Sequence, residues 1–179
     1  MPSACEQSEQ TMKIKTYGDN ALRNLAAPVA VIDDKLRAVL DVMVELMDTE
    51  TGAGLAAPQV GISSRFLVMR EAPDGETIKM INPVIISKSE TICTMEEGCL
   101  SLLGPDDRPV YADISRPESV TVQWTDERGK EHSREFSGFP ARVIQHELDH
   151  LDGILFIDHV SSAKREMMLN KIKKRKQCA

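Results

Sequence analysis

In this 179-residue chain, the side chains best suited to chemistry lie in His146-Glu147-Leu148-Asp149-His150. Two histidines at this spacing on a helix stand one turn apart on the same side, so two neutral imidazoles can share a divalent ion while the intervening glutamate moves a proton. On a helical projection His146, His150, Val143 and Glu147 fall within about 100° of one another. Ile144, Leu148 and Leu151 extend that sector into an apolar face, and Arg142, Gln145, Asp149 and Asp152 lie opposite. The projection therefore predicts imidazoles bordering the core, with Arg142 and Gln145 on the far side of the helix. The plainer alternative is a helix whose buried histidines are satisfied by hydrogen bonds alone.

Two imidazoles leave Zn2+ or Fe2+ short of a third protein ligand. A metzincin-like continuation is excluded: Gly153 fits its spacing, but Phe156 stands where its third histidine belongs. A thermolysin-like downstream glutamate would have to be Glu166, which sits in a basic run. Two thiols remain. Cys99 lies in Glu96-Glu97-Gly98-Cys99-Leu100-Ser101, where a glycine gives the backbone freedom to approach an ion. Cys93, between Thr91-Ile92 and Thr94-Met95, reads as a small residue buried in a strand, so local sequence favours Cys99. A thiolate with two imidazoles leaves a fourth position for water, whose pKa the ion lowers and whose proton Glu147 can accept and return. The implied chemistry is metal-assisted hydrolysis.

The elements that must position these groups follow from periodicity. Leu36, Val39, Leu40, Met43, Leu46 and Met47 recur at helical spacing over 33–48, with Asp33 or Asp34 as cap. Residues 51–61 hold three glycines, Pro58 and no charge, which predicts a loop held close to something. Short β-prone runs follow at 66–69, 78–81, 84–86 and 91–95, with turns at Pro73-Asp74-Gly75 and Asn82-Pro83. Val120, Val122 and Trp124, then His132, Arg134 and Phe136, alternate about a turn at 126–129 and predict a hairpin. Pro140 and Gly153 bound a helix over 140–152 that carries the histidines, and 154–157 is a buried apolar run. A terminal helix from Ser161 to Lys176 has an apolar stripe of Ala163, Met167, Met168 and Ile172. The fold class is α+β, with antiparallel strands packed around a central histidine-bearing helix and helices toward both ends.

Composition narrows the function classes. With 41% apolar and 28% charged residues the chain is globular, and at this length one domain is favoured. No run approaches the roughly 18 apolar residues of a membrane span. Four cysteines, Cys5, Cys93, Cys99 and Cys178, are too few for a disulfide scaffold. The first twelve residues show neither a secretory nor a transit pattern, and a cytoplasmic protein is expected. Three regions result: a polar extension over 1–11, a catalytic domain over 12–160, and a basic helix and tail over 161–179. The net charge is −6, yet residues 164–176 carry seven Lys/Arg against Glu166 alone. An acidic body with a cationic tail suits a polyanionic partner for the tail.

Three separated segments, Gly52-Ala53-Gly54-Leu55-Ala56-Ala57-Pro58-Gln59, Glu97-Gly98-Cys99-Leu100-Ser101 and Gln145-His146-Glu147-Leu148-Asp149-His150-Leu151, closely resemble the three signature motifs of peptide deformylases, in order and spacing. The likeness runs from about Met12 to Lys176. It implies Cys99, His146 and His150 as metal ligands and Glu147 as general acid/base acting on a metal-bound water. It implies a Gln59 side-chain amide and a Leu100 backbone N–H that stabilise the developing oxyanion, and a Gly54 backbone that aligns the substrate. The metal expected is Fe2+, with Zn2+, Ni2+ or Co2+ possible in its place. The expected substrate is the formylmethionyl end of a nascent peptide, and the basic terminal helix would face ribosomal RNA, with no membrane partner. The sequence departs from the family at Ala53, where a branched residue is usual and a wider methionine pocket is expected. It departs again at Leu102-Leu103-Gly104-Pro105-Asp106-Asp107, which is expected to alter access. This second departure leaves Arg108 and Arg116 both open as the family's arginine.

Overall fold

The computed structural model describes residues 12–72 and 75–178, so the polar extension at 1–11 and the tip of the Pro73-Asp74-Gly75 turn lie outside the described residues. The elements run α1 (Asp34–Thr49), β1 (Gly54–Ala56), β2 (Phe66–Arg70), β3 (Thr77–Lys88), β4 (Ile92–Leu103), β5 (Pro109–Pro117), β6 (Ser119–Thr125), β7 (Glu131–Ser137), α2 (Phe139–Leu151) and α3 (Ser162–Cys178). Short 3-10 turns occupy Asn20–Arg23, Ala57–Val60 and Phe156–His159. These seven strands pair antiparallel, in a five-stranded sheet ordered β1-β2-β3-β6-β7 and a separate β4-β5 pair. This is the α+β arrangement that the sequence predicts.

The sheet lies between two helices, and β2 explains why. Phe66 and Val68 pack with Leu40, Met43 and Met47 of α1, whereas Leu67 and Met69 pack with Val143, Ile144 and Leu148 of α2. A strand covered on both faces must be apolar at every position, as Phe66-Leu67-Val68-Met69 is. The Asp33 side chain caps α1 by accepting from the Leu36 N–H at 2.9 Å. α2 opens with Pro140 in its first turn and stops where Gly153 adopts φ 72°, so both punctuation marks act as the sequence implies.

Four expectations need correction. Residues 51–61 are a short edge strand, β1, followed by a 3-10 turn, rather than a loop throughout. The runs at 78–81 and 84–86 form one strand, because a register shift between Ile81 and Val84 carries β3 across Asn82-Pro83. The Asn82 amide secures that irregularity through both polar atoms of the Val29 backbone, at 2.8 and 2.9 Å. Arg142 and Gln145 are buried, because β4 and β5 cover that side of α2. Arg142 donates to Ile114 O at 2.7 Å and to Cys93 O at 2.6 Å, and Gln145 donates to Pro117 O at 3.0 Å. Finally, the stripe on α3 is narrower than its spacing suggests. Met168 and Ile172 join Leu102, Val110, Ala112 and Ile114 in a cluster beneath β4-β5, whereas Ala163 and Met167 are exposed. The departure at 102–107 is the end of β4 followed by a tight turn, closed by Gly104 N–H donating to Arg108 O at 2.8 Å.

Candidate active site

β4 and α2 together build the site. Successive residues of a strand face opposite ways, so Glu97, Cys99 and Ser101 share one face of β4, and all three are buried. That face looks onto the side of α2 carrying His146 and His150. The Cys99 thiol, His146 and His150 place one donor atom each within 4.8 Å of one another, all buried, with Cys99 Sγ 3.2 Å from His150 Nε2. The structure thus brings together the three residues that the motif and the resemblance named. Cys93, six residues earlier on β4, is not in this group, and its backbone carbonyl accepts from Arg142.

The donor set fits a divalent ion. Glu97 Oε2 accepts from His146 Nδ1 at 3.0 Å, which fixes the tautomer and leaves Nε2 as the free lone pair. Glu97 is itself clamped by Arg116 Nε and Nη2 at 2.7 and 3.0 Å and by Arg142 Nη1 at 2.8 Å. Burial works against the charge on Glu97, but hydrogen bonds from His146 and Arg116 outweigh it and hold the carboxyl well below its ordinary range. Burial also opposes charge on His146, yet Cys99 and Glu97 outweigh it and raise its pKa well above the ordinary imidazole value. Burial and the His146 charge hold His150 well below that value. The Cys99 thiol and the clamped Glu97 favour positive charge at His146, and a cation taking the place of the Nε2 proton there would leave both imidazoles neutral with a lone pair to share.

Glu147 lies beside this cluster with Oε2 buried and without a hydrogen-bond partner among the described residues. Burial pushes its carboxyl up to about 7, with the His146 charge opposing the rise and the Glu97 charge adding to it. Gln59 enters from the 3-10 turn Ala57–Val60. Its Oε1 accepts from the Ala56 N–H at 2.8 Å, and this orients Nε2 toward Cys99 Sγ at 3.6 Å and Ser101 Oγ at 3.3 Å. Gly54 opens β1 and approaches the carboxylate so closely that a Cβ there would lie 2.7 Å from Glu147 Oε1. Leu100 follows Cys99 in the stretch where β4 and β5 lose register, between Gly98 and Leu103.

A cleft of about 350 Å³ leads to these groups, walled by residues 51–54 on one side and 96–100 on the other. Among the described residues β1 pairs only with β2, and β4 only with β5. Two strand edges therefore flank the cleft, which suits an extended peptide between them. Phe139 and Tyr111 stand at its mouth, partly exposed. Of the two arginines left open, Arg116 is buried on Glu97 and Asp149, whereas Arg108 is exposed on the turn after β4. The sequence reading did not give Glu97 a role. The signal was its place two residues from Cys99, which on a strand puts both on one face.

Buried thiol and imidazole donors, a neighbouring carboxylate with an unpartnered oxygen and an open cleft define a metal-dependent hydrolase. Comparison with known proteins narrows the class. The family model for polypeptide deformylase matches residues 11–166. A peptide deformylase of Synechocystis is 42% identical over 154 residues, covering 84% of this chain and 80% of that protein. A crystal structure of a peptide deformylase from Legionella pneumophila has a TM-score of 0.85 at 38% identity, covering 92% of this chain and 95% of that one. The Ehrlichia chaffeensis peptide deformylase in complex with actinonin reaches 0.87 at 34% identity, covering 93% and 98%. The chain belongs to the polypeptide deformylase family.

Proposed function

We propose that this chain hydrolyses the N-formyl group from the N-terminal formylmethionine of newly synthesised proteins, releasing formate and a free α-amine. The observation that carries this reading is the convergence of Cys99, His146 and His150 beside the Glu147 carboxylate, whose Oε2 has no partner among the described residues, at the base of a cleft. Cys99, His146 and His150 would hold a divalent ion, which would supply the Lewis acidity that acidifies water and polarises a carbonyl. Glu147 takes the proton of the attacking water and delivers it to the departing nitrogen. A carboxyl raised by burial to about 7 suits both halves of that exchange. Gln59 Nε2 and the Leu100 backbone N–H face the formyl oxygen and stabilise the negative charge that grows on it. The Gly54 backbone meets the substrate chain where a side chain would not fit.

Fe2+ is the expected physiological metal, with Zn2+, Ni2+ or Co2+ also compatible with one thiolate and two imidazoles. Metal analysis after anaerobic purification identifies it. The test of function is formate release from formyl-Met-Ala-Ser, with no cleavage inside unblocked peptides. Internal cleavage would indicate a general metalloprotease, and no hydrolysis at all a structural metal site. Glu147→Gln should keep its metal and lose at least about a hundredfold in turnover. An active Glu147→Gln variant would remove the acid/base assignment.

A further inference from the structure

The clamp on His146 does not end at Glu97. Arg116 spends one edge of its guanidinium on Glu97 and donates through Nη1 to Asp149 Oδ2 at 2.8 Å. The same Asp149 oxygen accepts from His159 Nε2 at 2.7 Å. His159 lies on the 3-10 turn Phe156–His159, outside the three sequence motifs. We propose that His159 is a positioning residue for the ligand His146, acting through Asp149, Arg116 and Glu97.

Charge balance shows why the outer end matters. Arg116 and Arg142 both bear on Glu97, so two cations meet one carboxylate in a buried setting, and Asp149 supplies the second negative charge. Asp149 is the carboxylate nearest water, with its side chain 18% exposed against 4% for Glu97. Left to Arg116 alone, it can turn toward solvent, and Arg116 then loses the contact that fixes its plane. The His159 N–H holds the carboxylate inward whether the ring is neutral or charged, since Nε2–H donates in either form. With Arg116 fixed at both ends, Glu97 meets His146 Nδ1 in one geometry, and Nε2 is aimed at the other two donors. Partners behind a ligating histidine orient the ring and raise its basicity.

This inference rests on the metal-site reading above, and its test is read without turnover. Zn2+ affinity of the full chain is measured by chelator competition, alongside Tm. His159→Ala should bind Zn2+ about three- to tenfold more weakly, below the tenfold or greater loss typical of a residue that touches a ligand directly. His159→Gln, which returns an N–H donor near the Nε2 position, should recover most of that affinity. In a Glu97→Gln background, His159→Ala should cost nothing further, because the path to His146 is already broken. Unchanged Zn2+ affinity in His159→Ala, or an undiminished second loss in the double variant, overturns the proposal. A lowered Tm with wild-type affinity would give His159 a purely structural role and overturns it equally. Formate release is measured separately, so either reading can fail while the other stands.

Discussion

Gly54 and Glu147 occupy space that only one of them can fill with a side chain. A Cβ on Gly54 would lie 2.7 Å from Glu147 Oε1 and 2.8 Å from both its Cγ and Val143 Cγ1, so Gly54→Ala must push the carboxylate aside. The expected result is at least a tenfold loss of formate release with metal content unchanged, since the contact touches Glu147, the proposed proton carrier, and none of the three donors. Wild-type turnover in that variant would show that the carboxylate has room to spare. At this scale the sequence was informative about residue types and less so about the reason for their choice. Local sequence favours Cys99 over Cys93 for the glycine beside it, and the structure puts both on β4, Cys93 in its regular ladder and Cys99 just where the register with β5 is lost after Gly98. Six residues along a strand are about 20 Å, so only one of the two thiols can reach the histidines. Glu97 stayed hidden because an acidic residue next to Glu96 reads as exposed until the strand's alternation is known. Ala53 lines the cleft.

The elements were legible where a single period governs them. α1, α2 and the β6-β7 hairpin each keep one apolar spacing with clear stops, and their limits fall within a residue or two of expectation. β5 escaped notice although Val110, Ala112, Ile114 and Arg116 alternate inward along it, because a buried arginine breaks the polarity code. The same substitution of hydrogen bonding for apolarity hid the burial of Arg142 and Gln145. Between elements, Asp158 acts as a tie: it accepts from Arg23 Nη1 at 2.5 Å, from the Leu155 N–H at 2.9 Å, and pairs with Arg165 of α3 at 2.8 Å. Burial works against its charge, yet the Arg23 hydrogen bond, the Leu155 N–H and Arg165 outweigh it and lower its pKa. A carboxylate depressed in the folded state contributes stability that is fully present above its unfolded pKa, about 3.9, and is lost as pH falls through the folded value. Asp158→Asn should therefore lower Tm at neutral pH and show a shallower fall below about pH 4, the two Tm curves converging toward acid. Parallel curves from pH 6 to 3 would mean that Asp158 contributes nothing through its charge.

The whole molecule separates its charge. The net −6 is the sum of a strongly acidic body and a +6 stretch at 164–176. α3 is anchored by Met168 and Ile172, which pack with β4 and β5, so Lys171, Lys173 and Lys174 are left exposed. If the chain acts on nascent peptides as proposed above, it would work beside ribosomal RNA, and a cationic helix could dock on the phosphates there while the acidic body is repelled. The family match ends at residue 166, so most of this helix lies beyond it and its role has to be argued from charge and placement. Among the described residues no helix is long and apolar enough to cross a membrane. Replacing Lys171, Lys173 and Lys174 with glutamine should weaken ribosome cosedimentation at low salt and flatten its dependence on salt. If all three contact phosphates, the slope of log affinity against log salt should fall by roughly two to three. Turnover of formyl-Met-Ala-Ser should stay at the wild-type value, because the substituted residues lie outside the cleft. Cosedimentation equal to wild type at low salt would assign the lysines to solubility alone, and a fall in short-peptide turnover would mean that α3 supports the packing of β4 and with it the position of Cys99.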